Sequence, residues 1–348
     1  MRGLNEKSYV ILRNNPAIQA LIEQINNGNE NEIFIAVRDN YLTLYYDCLR
    51  IMDIKFNAVT GQIIGVECAP EYLTNFASTS LDEKNINIQD VIKIIEGIKN
   101  HSSKDVNKKE RKLQHKIVLN NNKLKDTRWF CVDVEYQTTD YGRFDIIAVS
   151  TEKINGKYQI AIIELKVDSA SMGAKTKDVE KWIASGEEKI KDINDWYLGR
   201  GSKIPGHFSN FQGFLNDHKS ITVLKEDIVN SLISYKEIGL NDFKFLEICS
   251  KLEKIDIEKD FQELPRIVFL SCAVDDGIQT VIKTFKGTVF SHKYSILNLW
   301  DNKILEKWKQ YYSCIFRDCN SNKEFHKEVF SDLEISEAKN IFDEETYK

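Results

Sequence analysis

Gly142-Arg143-Phe144-Asp145-Ile146-Ile147-Ala148-Val149 is followed, after a turn at Asn155-Gly156, by Ile160-Ala161-Ile162-Ile163-Glu164-Leu165-Lys166-Val167. Both runs have the Ile, Val and Ala content of buried strands, where an unpaired charge is costly. Asp145, Glu164 and Lys166 therefore need a common explanation. Strand periodicity puts Glu164 and Lys166 on one face, and pairing of the two strands brings Asp145 to them. Two carboxylates and an amine gathered in this way suit a hard divalent cation and an activated water. A lone Glu-x-Lys often does no more than solvate a strand end. Here the apolar runs on both strands and the Asn-Gly turn between them weigh against that reading.

Outward from these strands, Trp129–Gln137 reads as a third strand, joined to the first by the turn Thr138–Tyr141. A helical pattern precedes it, with Val91, Ile92, Ile94 and Ile95, a break at His101, then Leu113, Ile117 and Val118. A helix over Asp178–Asn194 follows. A buried strand over Arg266–Val274 is expected beside the Glu164 strand, with a further helix near Gly277–Phe285. Residues 195–262 read as an insertion, a glycine-containing polar loop and helices. In the first hundred residues a helix near Ala17–Asn26 leads into strands at Ile33–Arg38, Tyr41–Cys48 and Ile63–Cys68. The fold class is mixed α/β, of the α+β kind. Three regions are expected: an accessory domain over 1–100, the main domain over 104–300, and a helical, charged tail over 301–348.

The bulk numbers are those of an ordinary soluble globular protein. Of 348 residues, 42% are hydrophobic and 29% charged, with a formal net charge of −5. That balance excludes a globally basic nucleic-acid binder, so any such surface has to be local. Seven cysteines occur with no Cys-x-x-Cys, and several sit in apolar runs, as expected of reduced, buried thiols. Cys314, Cys319 and His326 lack the fourth partner and the spacing of a zinc knuckle. The N-terminus leads into no hydrophobic targeting segment, and no apolar run is long enough to span a membrane. A soluble, cytoplasmic protein is expected.

The Asp145 strand, its eighteen-residue spacing to Glu164, and Glu164-Leu165-Lys166 at the end of an apolar run resemble the PD-(D/E)XK phosphodiesterase superfamily. That superfamily includes restriction endonucleases, junction resolvases and DNA-repair nucleases. The resemblance runs from about residue 105 to 290 and does not reach residues 1–100. It implies a restriction-endonuclease-like αβββαβ core. Phe144 stands where the family name has proline, a departure that leaves the chemistry untouched. By the same resemblance Asp145 and Glu164 would hold Mg²⁺, which Mn²⁺ could replace, with the Leu165 carbonyl as a third ligand. Lys166 would orient water or stabilise charge on the phosphate, its pKa lowered by a neighbouring cation.

Further candidates surround these residues. Glu110, on the preceding helix, matches a position where superfamily members carry a site glutamate; a solvated helix face is the plainer reading. Glu135 alternates with Asp133 and Gln137 on its strand and could reach the site as a further metal ligand. From Lys104 to Arg128 nine Lys or Arg face three acids, so Lys108, Lys109, Arg111, Lys112 and Lys116 could form a basic approach for phosphates. Arg200, Lys203 and His207 fall in or beside the glycine-containing loop, where they could close on nucleic acid. His207 is expected to bind or cap rather than act as a base. Gln212 resembles a polar residue that some members carry on a downstream helix.

The expectation is a Mg²⁺-dependent nuclease acting on nucleic acid, DNA before RNA, in bacterial restriction, anti-phage defence or DNA repair. The alternative is a nucleic-acid-binding or scaffold protein that keeps the fold without cutting. No membrane partner is expected. The chain could pair with a copy of itself, and residues 1–100 could hold a regulator or partner protein.

Overall fold

The computed structural model describes residues 2–26, 33–46, 49–68, 109–124, 126–166, 204–240, 243–252, 254–273, 279, 282–283, 309–318, 335 and 338–348. Helix α1 (Glu6–Asn14) starts where the Asn5 side chain accepts a hydrogen bond from Lys7 N, and α2 (Pro16–Asn26) starts on a proline. Four strands, β1 (Ile33–Val37), β2 (Tyr41–Tyr46), β3 (Leu49–Phe56) and β4 (Ile63–Cys68), form an antiparallel sheet in that order. The sequence reading missed β3, because Arg50, Asp53 and Lys55 make it look polar. In the sheet Ile51, Met52, Ile54 and Phe56 are buried, and Asp53 is satisfied by Thr43 Oγ1 at 2.8 Å and by Arg50. The turn before β4 needs Gly61. Its φ is +72°, and a Cβ there would lie 2.6 Å from the backbone of α1.

The second sheet is built from α3 (Lys109–Asn122), β5 (Trp129–Gln137), β6 (Arg143–Ser150), β7 (Ile160–Lys166), α4 (Ile204–Asn216), α5 (His218–Ile238), α6 (Phe243–Leu252), α7 (Ile257–Asp260), β8 (Arg266–Ala273), β9 (Tyr312–Asp318) and β10 (Lys339–Asn340). Its six strands lie in the order β10-β9-β8-β7-β6-β5. β5, β6 and β7 are mutually antiparallel, and β8 runs parallel to β7, in the place expected for it. The helical tail is corrected: β9 joins the sheet parallel to β8, and β10 pairs with β9. Tyr312-Ser313-Cys314-Ile315-Phe316 is a short run of strand-favouring residues whose charged flanks mask it, and β8 supplies the edge on which it pairs. The helices expected before residue 101 and over 178–194, and most of that over 277–285, lie outside the described residues.

Every residue of β7 is buried, as befits a strand with a neighbour on each side and cover on both faces. One face carries Ile160 and Ile162 against Phe211 and Phe214 of α4, with Phe144 and Phe269 in the same cluster. The other carries Ala161, Ile163 and Leu165 against Leu113, Ile117 and Val118 of α3. Helix α3 is fixed to β5 by Asn122, which donates to Cys131 O and accepts from Cys131 N, both at 2.8 Å.

The two sheets share these cores. Phe34, Ala36 and Tyr45 of the first sheet pack with the α3 face, while Ile35, Val37 and Leu44 join the α4 side. Arg38 pairs with Asp133 and donates to Val134 O at 2.9 Å, and Arg2 lies 3.0 Å from the other Asp133 oxygen. The buried Asp133 carboxylate is thus paired with two arginines, and such pairing is the condition for holding a charge inside. Cys68, Cys131, Cys249 and Cys314 are buried free thiols, in line with the sequence reading. Among the described residues no helix is long and apolar enough to cross a membrane.

Candidate active site

The candidate residues come from where β6 begins and β7 ends. The last paired residues of these strands at that end are Ile146 and Ile163, so Asp145 and Glu164 stand one step beyond, opposite each other. The two carboxyl groups are near enough to act on each other electrostatically, since Glu164 raises Asp145. Leu165 N donates to Asp145 Oδ2 at 2.8 Å, which turns the Asp145 carboxyl toward β7. Gln114 of α3 donates to the Asp145 carbonyl and holds the start of β6 against the helix.

Glu164 is 1% exposed and Lys166 4% exposed. Lys166 Nζ donates to Glu164 Oε1 at 2.5 Å and to the Leu165 carbonyl at 3.1 Å. His207 of α4 places Nε2 3.1 Å from the same Oε1. Glu164 Oε2 is buried and has no hydrogen-bond partner among the described residues. An orphaned carboxylate oxygen in a dry site is expensive, and it marks the place for a ligand that an anionic oxygen attracts. Ser271 Oγ, on β8 directly beside Lys166, is a second buried atom with no partner among the described residues.

The titration directions describe one crowded, negative site. Burial and the nearby Glu164 push the Asp145 carboxyl up to about 7, against the pull of Lys166. Burial also raises Glu164, outweighing Lys166. Burial opposes the charge on Lys166, yet Glu164, Asp145 and Glu110 overcome it and raise the amine. Among the protein's own groups Lys166 is thus held as an ammonium, the reverse of the lowered pKa expected beside a cation. Burial, and then Lys166, lower His207 to about 3, so its ring is neutral and its contact with Glu164 is not an ion pair.

Glu110, in the first turn of α3, acts electrostatically on both Glu164 and Lys166, so it belongs beside the site rather than on a remote face. Glu135 is engaged differently: its Oε1 lies 3.4 Å from Arg111 Nε and 3.3 Å from Arg143 Nη1. Lys116 is exposed on α3, and Lys109 and Lys112 lie on the same helix. Gln212 is half-buried further along α4. Lys108, Arg200 and Lys203 lie outside the described residues. Gln114, Arg143 and Ser271 were missed in the sequence. A polar residue at the edge of an apolar run was the only signal for Ser271, and Gln114 and Arg143 carried none.

Asp145, Glu164 and the Leu165 carbonyl are the groups that could hold a divalent cation. All are hard oxygen donors, and Glu164 Oε2 has unused capacity. Among the described residues no three His, Cys, Asp or Glu side chains gather closely enough to form a ready metal cage. A cation here would therefore keep waters in most of its coordination positions, as Mg²⁺ commonly does. No known protein family, curated protein or solved structure matches the chain.

Proposed function

We propose that the chain is a divalent-cation-dependent nuclease with a restriction-endonuclease-like core, hydrolysing phosphodiester bonds of nucleic acid, DNA before RNA. One observation carries the reading: a buried Glu164–Lys166 pair at the end of a wholly buried strand, with Asp145 opposite and Glu164 Oε2 unpartnered. A fold does not place two opposite charges in its central strand for stability, because apolar residues of similar size serve as well or better. Bacterial restriction or anti-phage defence, and then DNA repair, are the biological settings in view, by family analogy alone.

Hydrolysis adds water across a P–O bond: the water oxygen bonds to phosphorus, and its proton ends on the leaving oxygen. A bound Mg²⁺ or Mn²⁺ would supply a more acidic water and neutralise phosphate charge. Lys166, held charged by Glu164 and Asp145, supplies a fixed ammonium for the negative charge that grows on the phosphate. His207 and Lys166 both engage Glu164 Oε1, so Oε2 is the oxygen left to face a ligand. Helix α4 covers one face of β7 and α3 the other, while Asp145 stays partly exposed at the strand end.

The competing reading, a fold retained without cleavage, also has an observation. Lys166 Nζ is engaged by Glu164 Oε1 and the Leu165 carbonyl. Supercoiled plasmid, linear duplex, single-stranded DNA and RNA, each with Mg²⁺, Mn²⁺ or chelator, separate the two. Metal-dependent cleavage lost in Glu164→Ala and in Lys166→Ala supports the nuclease. Cleavage that survives both substitutions, or none by the wild type on any substrate, refutes it.

A further inference from the structure

Glu135 has a φ of +52°, a left-handed conformation uncommon for a residue with a side chain and sustained only where surrounding structure demands it. It sits between the pairs Val134–Ile146 and Tyr136–Phe144, level with Asp145 on the adjacent strand. Its Oε1 gathers Arg111 from α3 and Arg143 from β6. Each arginine commits one nitrogen to that oxygen, Nε of Arg111 and Nη1 of Arg143, and their side chains are 39% and 47% exposed. A guanidinium has five N–H donors, so most of each fork is left for another acceptor. Two arginines on one carboxylate leave a net positive charge of one, beside a site with an excess of acids. The charge of Arg143 is felt at both Asp145 and Glu164, and Arg111 follows Glu110 on α3.

We infer that Arg111 and Arg143, held together by Glu135, form the phosphate-binding fork that seats the nucleic-acid backbone beside Asp145 and Glu164. The inference rests on the nuclease reading and deepens it by naming the substrate contact. It also gives Glu135 a positioning role in place of the metal-ligand role expected from its place on the strand. A diester phosphate has two non-bridging oxygens, the geometry that paired guanidinium forks recognise. With the protein at a net charge of −5, such a local cationic pair is what lets a polyanion approach an acidic site.

Binding without cleavage is the test: fluorescence anisotropy of a labelled DNA duplex, a single strand and an RNA duplex, in chelator, across a series of salt concentrations. Arg111→Gln and Arg143→Gln are each expected to raise Kd roughly fivefold to tenfold. Each is also expected to flatten the log Kd against log salt slope by about 0.9 on the DNA duplex. Lys153→Gln removes a charge at the opposite end of β6 and β7, where Lys153 pairs with Asp260, and is expected to leave both unchanged. Glu135→Gln is expected to weaken oligonucleotide binding while Mn²⁺ binding by titration calorimetry stays at the wild-type value. Folded arginine variants with wild-type Kd and salt slope would overturn the fork alone, as would loss of Mn²⁺ binding in Glu135→Gln. Wild-type protein that binds none of the three nucleic acids overturns the fork and the nuclease reading together.

Discussion

His207 Nε2 lies 3.1 Å from Glu164 Oε1, so a helix distant in sequence brings a neutral ring against the oxygen that Lys166 holds. The ring is held by stacking on Phe211, one turn along α4, with centroids 6.2 Å apart. Phe211 in turn packs against Phe144 and Phe269. Removing the ring nitrogens while keeping an aromatic ring, as in His207→Phe, is expected to lower metal-dependent cleavage about 10-fold to 100-fold, the usual effect of losing a group that orients a ligand. His207→Gln, which keeps a side-chain nitrogen, is expected to retain more activity. Single-turnover cleavage at several Mn²⁺ concentrations measures both.

The Glu164–Lys166 pair should show a strong double-mutant coupling. Lys166→Met strands a buried carboxylate and is expected to cost roughly 3–5 kcal/mol of stability. Glu164→Leu strands the ammonium at a similar cost. The double variant, with neither charge, is expected to recover most of the loss and to be inactive. Urea unfolding of the four proteins gives the cycle.

His115 of α3 is buried, its ring 4.9 Å from that of Tyr45 and edge-on to Phe34. Burial, and then Arg111, push it down to about 3. Between about 6.5 and 3 the unfolded chain therefore binds a proton that the folded chain does not. The stability contributed by the neutral ring is complete above about pH 6.5 and is lost as pH falls, by a total on the order of 4 kcal/mol. His115→Phe, which keeps an aromatic ring there, is expected to remove that slope. Urea midpoints at pH 7.5, 5.5 and 4.5 test the sign.

Asp145 works in the opposite direction. With its carboxyl raised to about 7, the folded chain keeps a proton that the unfolded chain has released between about 4 and 7. Stability is therefore expected to fall as pH rises through that window. Asp145→Asn should remove the falling limb and be about 1–2 kcal/mol more stable than wild type at pH 7.5, allowing for the partial exposure of the group. A cation binds the ionised form, so Mg²⁺ should lower the Asp145 titration midpoint, as followed by side-chain carboxyl NMR.

Gly213 fixes how closely α4 approaches the β5–β6 turn. A Cβ there would lie 2.7 Å from the Tyr141 ring, which meets Phe214 edge-on and hydrogen-bonds Asp217 through its hydroxyl. Gly213→Ala is expected to cost about 1–3 kcal/mol through overpacking and to displace the helix that carries His207. Adding Tyr141→Ala removes the clash, so the double variant should regain part of the lost activity per folded molecule.

Sequence and structure divide the site along a physical line. Asp145, Glu164 and Lys166 were legible because a charge in a run of Ile, Val and Ala has few inexpensive explanations. Strand period two then sorts the faces without further knowledge. Glu110 was legible only as an acid one helix upstream. Glu135 was placed near the site, but its alternation with Asp133 and Gln137 said nothing of its left-handed backbone or its two arginines. Strand β9 was hidden for another reason: it pairs with β8, far back in the sequence, and with the two-residue β10, and those edges exist only after the sheet has assembled.

The amino-acid order by itself determined the two central strands, the acids and amine on them, and the succession of a helix, three strands and the strand at 266, because burial and periodicity are local. Only the tertiary structure decided that His207 lies against Glu164, that Ser271 lies beside Lys166, that Arg143 joins Arg111 on Glu135, and that the first sheet shares its core with the second. Those contacts join residues far apart in sequence, and what selects them is the packing of aromatic and aliphatic side chains, which leaves no period or spacing to read.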